Sequence, residues 1–284
     1  MSYNEVDETE LNIEQKIKIA SGFLLASPPG EVNDVFNDIR SLIDDDEVLV
    51  EGIIDTLREY NTEQFVTVAL PEQEQEVVVC KAGEVDEVHY LDPRSKQVFK
   101  FDHLRQTVAD LEEHTPDEEM EPFRAALEEA VDAYCADHYP NGTASVFTSG
   151  RVLTIVVVDN KYNQANFWNG RWRSLWTLDL DSNELKGSLK VQVHYFEDGN
   201  VQLNSSKDVT IEINAGSNPG LIANLAIKKI TKAESEFQEG MNNGYNQLSD
   251  STFKGLRRTL PVTRSKIDWD KMMNYKIGSE LASK

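Results

Sequence analysis

GSLKVQVHYFEDGNVQLNSSKDVTIEI, Gly187 to Ile213, decides the fold. Apolar residues recur at alternate positions on both sides of one turn signal, Asp198-Gly199, interrupted after it at Ser205 and Lys207. Period two is the mark of a half-buried strand, and an Asp-Gly pair between two such runs predicts a tight hairpin. Strands joined so closely must be antiparallel. Upstream, NFWNGRWRSLW places Asn169-Gly170 between aromatic runs, a second expected hairpin turn. RVLTIVVVD, Arg151 to Asp159, is apolar enough to be buried on both faces, so it is expected at the centre of a sheet. From Ser145 to Ile213 the chain therefore predicts an antiparallel meander of about five strands.

Downstream the period changes. Ser217 or Asn218 can cap a helix that Pro219 starts. A stripe then runs Ile222, Ala226, Ile230, Ala233, Phe237, Met241, Tyr245, Leu248, Thr252, Leu256, Leu260 in steps of three or four. Forty helical residues span roughly 60 Å, whereas five strands make a sheet only about 25 Å wide. A helix that long is expected to cross more than its own sheet, with a second, similar subunit supplying the missing surface. Pro261 ends it. Ser265 and Asp268 have capping-box spacing, and Trp269, Met273, Ile277 and Leu281, with Met272 beside them, predict a short amphipathic terminal helix.

Towards the N-terminus, NIEQKIKIASGFLLA spaces Ile13, Ile17, Ala20 and Leu24 helically, and SPPG stops the run at Ser27 to Gly30. EVNDVFNDIRSLI and DDDEVLVEGIIDTLREYN predict two further helices, the last with acidic residues in its first turn. Short runs of alternation in QFVTVAL, EVVVC, EVHYLD and KQVFKFD predict a small β region. Thr115 and Pro116 are read as the start of an acidic helix whose buried stripe is Phe123, Leu127, Ala130 or Val131, and Tyr134. The fold class is α+β, with expected segments 1–64 (helical), 65–140 (small β region and acidic helix), 141–216 (sheet), 217–260 (long helix) and 261–284 (tail).

Composition narrows the function. The chain of 284 residues carries 50 acidic and 28 basic side chains, a net charge of -22. Residues 1–140 hold 35 acidic against 10 basic groups, while Phe253 to Lys284 holds eight cations and three anions. An acidic chain is repelled by nucleic acid, and the basic segment lacks interleaved stacking aromatics, so no nucleic-acid partner is expected. The longest apolar run, Val152 to Val158, is too short to span a bilayer, and the acidic start is no secretory signal. A cytosolic chain is expected, with Cys80 and Cys135 as buried, reduced thiols. Five scattered histidines assemble no catalytic set, and Asp44 to Glu47 lacks the spacing of a calcium loop. Neither an enzyme nor a cofactor or metal site is expected.

The basic group is the feature that needs a role. FKGLRRTLPVTRSK, Phe253 to Lys266, crowds Lys254, Arg257, Arg258, Arg264 and Lys266 around Pro261. Arg257 and Arg258 suit a helix C-terminus. Arg264 and Lys266 lie beyond it, next to the Trp269, Met272, Met273 and Ile277 row. Cations flanking an adaptable Trp/Met row fit a contact surface better than a solvated tail.

These residues resemble the α subunits of the heterodimeric F-actin capping proteins (CapZ). The resemblance runs almost end to end, through PPGEVNDVFNDIR, LDPRSKQVFKFDHLR, DHYPNG and NFWNGRWRS, and is strongest in VHYFEDGNV (Val193 to Val201) and FKGLRRTLPVTR (Phe253 to Arg264). It implies three N-terminal helices, a sheet continued across a dimer with a β subunit, and a long helix lying across that joint sheet. It further implies a C-terminal tentacle that binds the barbed end of an actin filament and stops subunit addition and loss, without severing. The positions that match the family's actin-binding cations are Lys254, Arg258 and Arg264; Arg257, Lys266 and the Trp269, Met272, Met273, Ile277 row join them on charge and amphipathicity. CARMIL-type proteins, myotrophin and phosphoinositides are implied as possible regulators. The alternatives are a scaffold capping the actin-like filament of dynactin, or a peripheral phosphoinositide-binding module.

Overall fold

The computed structural model describes residues 11–43, 46–71, 73, 75–197, 200–213 and 216–247. Two units divide the chain, Met1–Ala233 and Glu234–Lys284.

The first unit opens on helices α1 (Ile13–Leu25), α2 (Val32–Ile43) and α3 (Asp46–Glu63). A capping box starts α1: Gln15 N donates to Asn12 Oδ1 at 2.9 Å, and Asn12 N donates to Gln15 Oε1 at 3.0 Å. Ala20, Leu24, Ile39, Leu49, Ile53 and Leu57 form a shared core, with Ile17, Val35 and Phe36 packed against it. Ile13, expected in the stripe, is exposed; it lies one turn short of the positions that the other helices cover.

Strands β1 (Val66–Ala69) and β2 (Glu76–Val79) pair antiparallel, and β3 (His89–Asp92), β4 (Gln97–Asp102) and β5 (Thr107–Glu113) form a three-stranded sheet. The expectation omitted β5. That strand is exposed along nearly its whole length, so no buried face imposes an apolar alternation. Its presence also displaces the next helix. α4 spans Glu121–His138, not a helix from Pro116, and the proline of its first turn is Pro122. Thr115 and Pro116 belong to the connection after β5. Phe123 is only half-buried, and Arg124 takes the inward position with Leu127, Val131, Tyr134 and Cys135.

Burying Arg124 requires partners. Its Nε donates to Glu121 Oε2 at 2.8 Å, and its Nη1 lies 2.9 Å from Glu128 Oε1. Arg124, together with Lys96 at 3.1 Å, holds the Glu121 carboxyl below the ordinary glutamate range. A carboxyl depressed on folding stabilises above its unfolded value and loses that contribution as pH falls through its folded value. Glu121→Gln should therefore narrow the gap between the urea midpoints at pH 7 and pH 3.5, by about 1 kcal/mol at this partly exposed site. Equal pH dependence in both proteins would show that the pair contributes nothing.

The main sheet consists of β6 (Thr143–Ser149), β7 (Val152–Asn163), β8 (Trp168–Asp179), β9 (Glu184–Tyr195) and β10 (Val201–Glu212), in the spatial order β10-β9-β8-β7-β6, every pair antiparallel. It is the expected five-stranded meander. β7 buries Leu153, Ile155, Val156, Val157 and Val158 on both faces as read, but β8 is the central strand. Asn169-Gly170 is no hairpin turn. Both residues lie in the β7–β8 ladder, opposite Tyr162 and Lys161, and the chain reverses at Gln164–Phe167. Phe167 takes the left-handed conformation there, φ 56°. Asn169 is buried, and its side chain is held from another element, so the ladder extends past the dipeptide. Asp198-Gly199 falls outside the described residues; its flanks pair as a hairpin requires, Tyr195 with Val201. Cys80 and Cys135 are free and buried, and burial pushes the Cys80 thiol up to about 12.

Helix α5 spans Pro219–Gln247 and starts on Asn218, whose Oδ1 accepts from Leu221 N at 3.1 Å. Within the first unit the expected stripe residues Ile222, Ala226, Ile230 and Ala233 are buried, and Ala223 is buried beside them. The described part of the second unit, Glu234–Gln247, is the remainder of this helix. There Phe237 is buried while Tyr245 is 66% exposed. No helix among the described residues is long and apolar enough to cross a membrane.

Candidate assembly edge and the clamp behind it

All nine candidate contact residues, Lys254, Arg257, Arg258, Arg264, Lys266, Trp269, Met272, Met273 and Ile277, lie outside the described residues, as does the helix from Leu248 to Leu260. The candidate surface that the structure describes is the free edge of the main sheet.

That edge is β10. Its twelve residues pair without interruption with β9, Val201 opposite Tyr195 through Glu212 opposite Glu184. Strand order places no further described strand beyond it. At the opposite edge, β6 is neighboured by α4 and β2. Twelve residues at about 3.4 Å each make an edge of roughly 40 Å with a row of unpaired backbone groups. Soluble proteins blunt such edges with charged side chains, proline, bulges or very short strands. β10 carries Lys207 and Asp208 near its middle but has no proline and an unshifted register. Val201 and Leu203 are 62% and 50% exposed, and Tyr195 of β9 stands beside them. An edge this long and regular can accept a strand.

Behind the edge, the NGRWRS run of β8 serves as a clamp between sheet and helices. Glu31, in the connection between α1 and α2, accepts from Asn169 Nδ2 at 2.8 Å and from His194 Nδ1 at 2.7 Å with the same oxygen, Oε1. Asn169 and His194 are buried and lie opposite each other on β8 and β9. Two positions on, Arg171 donates to Asn160 Oδ1 at 2.6 Å, Tyr162 Oη at 2.8 Å and the Gln64 carbonyl at 3.1 Å. Arg173 donates to the Glu63 carbonyl and to Gln192 Oε1. The two buried guanidiniums thus meet the C-terminal carbonyls of α3, where the helix dipole favours cations. Phe65 follows in the left-handed region, φ 53°, and turns the chain into β1. Burial, with Arg171 alongside, pulls Arg173 down to about 10.

His194 is a buried cross-strand residue. The sequence signals assign no clamp role to Glu31, Asn169, Arg171 or Arg173. Two arginines two apart on a strand otherwise bound for burial were the available signal, since such cations must find partners inside. Glu31→Ala leaves Asn169 Nδ2 and His194 Nδ1 buried without their acceptor, and should lower stability by about 2–4 kcal/mol. Glu31→Gln, which keeps one oxygen, should cost less. A urea midpoint unchanged in Glu31→Ala would contradict the clamp.

Among the described residues no cluster of His, Cys, Asp or Glu could hold a metal. The fold and its edge thus define a class, an α+β subunit whose central sheet ends in a strand open to pairing.

A profile of the family described as F-actin capping protein alpha subunit matches residues 20–280, and the chain belongs to that family. Two relatives named F-actin-capping protein subunit alpha are similar over nearly full length. The one from Caenorhabditis elegans is 38% identical over 280 residues, covering 96% of this chain and 99% of its own. The one from Dictyostelium discoideum is 36% identical over 278 residues, covering 94% and 98%. The solved homodimeric actin capping protein alpha subunit from Plasmodium berghei shares the fold, with a TM-score of 0.76 at 22% identity over 88% of this chain and 98% of that one.

Proposed function

We propose that the chain is the α subunit of a heterodimer with a capping protein β subunit, and that the dimer binds actin filament barbed ends and blocks subunit exchange without severing. Family membership over residues 20–280 carries this reading. The β subunit would add its edge strand to β10, continuing the sheet, and cover the apolar stripe where Tyr245 is left exposed.

Residues 261–284 would act as the tentacle. Lys254, Arg257, Arg258, Arg264 and Lys266 meet acidic patches on the terminal actin protomers and orient the approach. Trp269, Met272, Met273 and Ile277 then enter an apolar groove and slow dissociation. No bond is made or broken, so the role is steric and the protein is not an enzyme. Its place is the cytoplasm, in actin-rich regions. The same basic face would attract phosphoinositide head groups or myotrophin as competitors, while CARMIL-type proteins would bind the dimer body.

The test is elongation from barbed-end seeds with the chain co-expressed with a β subunit. Substoichiometric arrest of barbed-end growth, with pointed-end growth unaffected, is expected. Undiminished elongation, or a stable soluble monomer without the β subunit, would overturn the reading.

A further inference from the structure

We propose that a hollow on the clamp side of the main sheet is a binding site for a monocarboxylate with a compact apolar tail. The hollow, about 400 Å³, lies where the end of α3 and the short 3-10 turn Lys81–Gly83 meet β7, β8 and β9. That volume falls in the range of small-molecule sites. Phe65 and Leu175 give it apolar walls, and Arg173, Lys81 and Lys190 contribute cations.

Arg173 decides the chemistry. The residue is only 5% exposed, and two of its nitrogens are used, on the Glu63 carbonyl and Gln192. Its Nε–H is buried and meets no acceptor among the described residues. No carboxylate forms an ion pair with this guanidinium among the described residues; burial and the neighbouring Arg171 lower its pKa, and Glu63 offsets this only in part. An anionic oxygen in the hollow, seated against this guanidinium, would offset the charge, the pairing for which a guanidinium is best shaped. Lys190 stands close by, ion-paired with Glu63 at 3.8 Å from Nζ to Oε2; that distance is too long for a hydrogen bond, so its N–H groups can still donate to a second oxygen. Glu63 is the one carboxylate in the lining and repels dianions more than monoanions. A single carboxylate with an apolar tail against Phe65 and Leu175 suits all of these groups.

The ligand could be a free acid or the C-terminal carboxylate of a peptide. Hexanoate and N-acetyl-leucine serve as probes for the two sources, with hexanamide and N-acetyl-leucinamide as uncharged controls. Binding to the full chain, co-purified with its β subunit, is read by saturation-transfer NMR and by protection of Lys190 from acetylation. Hexanoate is expected to bind about tenfold more tightly than hexanamide. Lys190→Ala should weaken it several-fold. Ala82→Leu, which adds bulk at an exposed rim position, should abolish binding without shifting the melting temperature. A preference for N-acetyl-leucine over hexanoate would assign the site to a peptide terminus, and the reverse to a free acid. Equal binding of acid and amide, no binding of either acid, or binding undiminished in Ala82→Leu would each overturn the proposal. Barbed-end arrest is measured on the same samples, so failure here is separate from failure of the capping role.

Discussion

Trp176→Ala should lower unfolding free energy by about 3–5 kcal/mol, a large share of the 5–15 kcal/mol typical of a folded domain. Trp176 lies in the central strand with no exposed surface. Its ring fits because the residue opposite it on β9 is Gly187. A β-carbon at 187 would fall inside the ring's van der Waals envelope, against Cζ3, Cε3 and Cη2. The indole has no exposed surface, so it cannot move aside cheaply. Gly187→Ala alone should therefore cost about 1–3 kcal/mol through overpacking. The two effects are coupled. Trp176→Leu combined with Gly187→Ala should be less damaging than the sum of the single changes, because the smaller side chain frees the space that the methyl needs. Urea unfolding followed by far-UV circular dichroism, run on the wild type, Trp176→Ala, Trp176→Leu, Gly187→Ala and the double variant, checks both effects. Strict additivity, or a Trp176→Ala midpoint at the wild-type value, would mean that the pair does not fill a shared slot.

The second large effect concerns actin. Changing Lys254, Arg258 and Arg264 together to alanine should slow association with barbed ends about 10- to 100-fold at low salt, within the roughly 10- to 1,000-fold range of electrostatic steering. The loss should shrink as salt rises, because screening already removes the same attraction from the parent protein. The dissociation rate should change less, since the Trp269, Met272, Met273 and Ile277 row would still occupy its groove. Capping rates measured from 25 to 300 mM salt separate these contributions. A folded triple variant that caps normally at every salt concentration would remove the cations from the mechanism.

Periodicity made most of the architecture legible. Alternation from Ser145 to Ile213 predicts the meander, and steps of three or four from Ile222 to Phe237 predict the described part of α5. Both signals exist because one face of each element is buried, and burial writes a period into the sequence. Where burial is weak the signal fails: β5, exposed along its length, left nothing to read. Asn169-Gly170 misled for the opposite reason. A turn-forming dipeptide was drawn into a ladder because Glu31 supplies Asn169 with a buried partner 138 positions away in sequence.

The sequence alone determined the fold class, the strand count of the main sheet, the stop of α1 and the cap of α5 in outline, and the charge asymmetry that singles out residues 253–266. Local rules govern all of these, since each depends on neighbours within a turn or a strand. Only the tertiary structure decided that β8 is central and β10 the free edge, that Glu31, Asn169 and His194 converge, and that Arg171 and Arg173 meet the end of α3. Those outcomes depend on which buried donors and acceptors come within hydrogen-bond reach of one another. Partners more than a hundred residues apart leave no periodic trace of that choice.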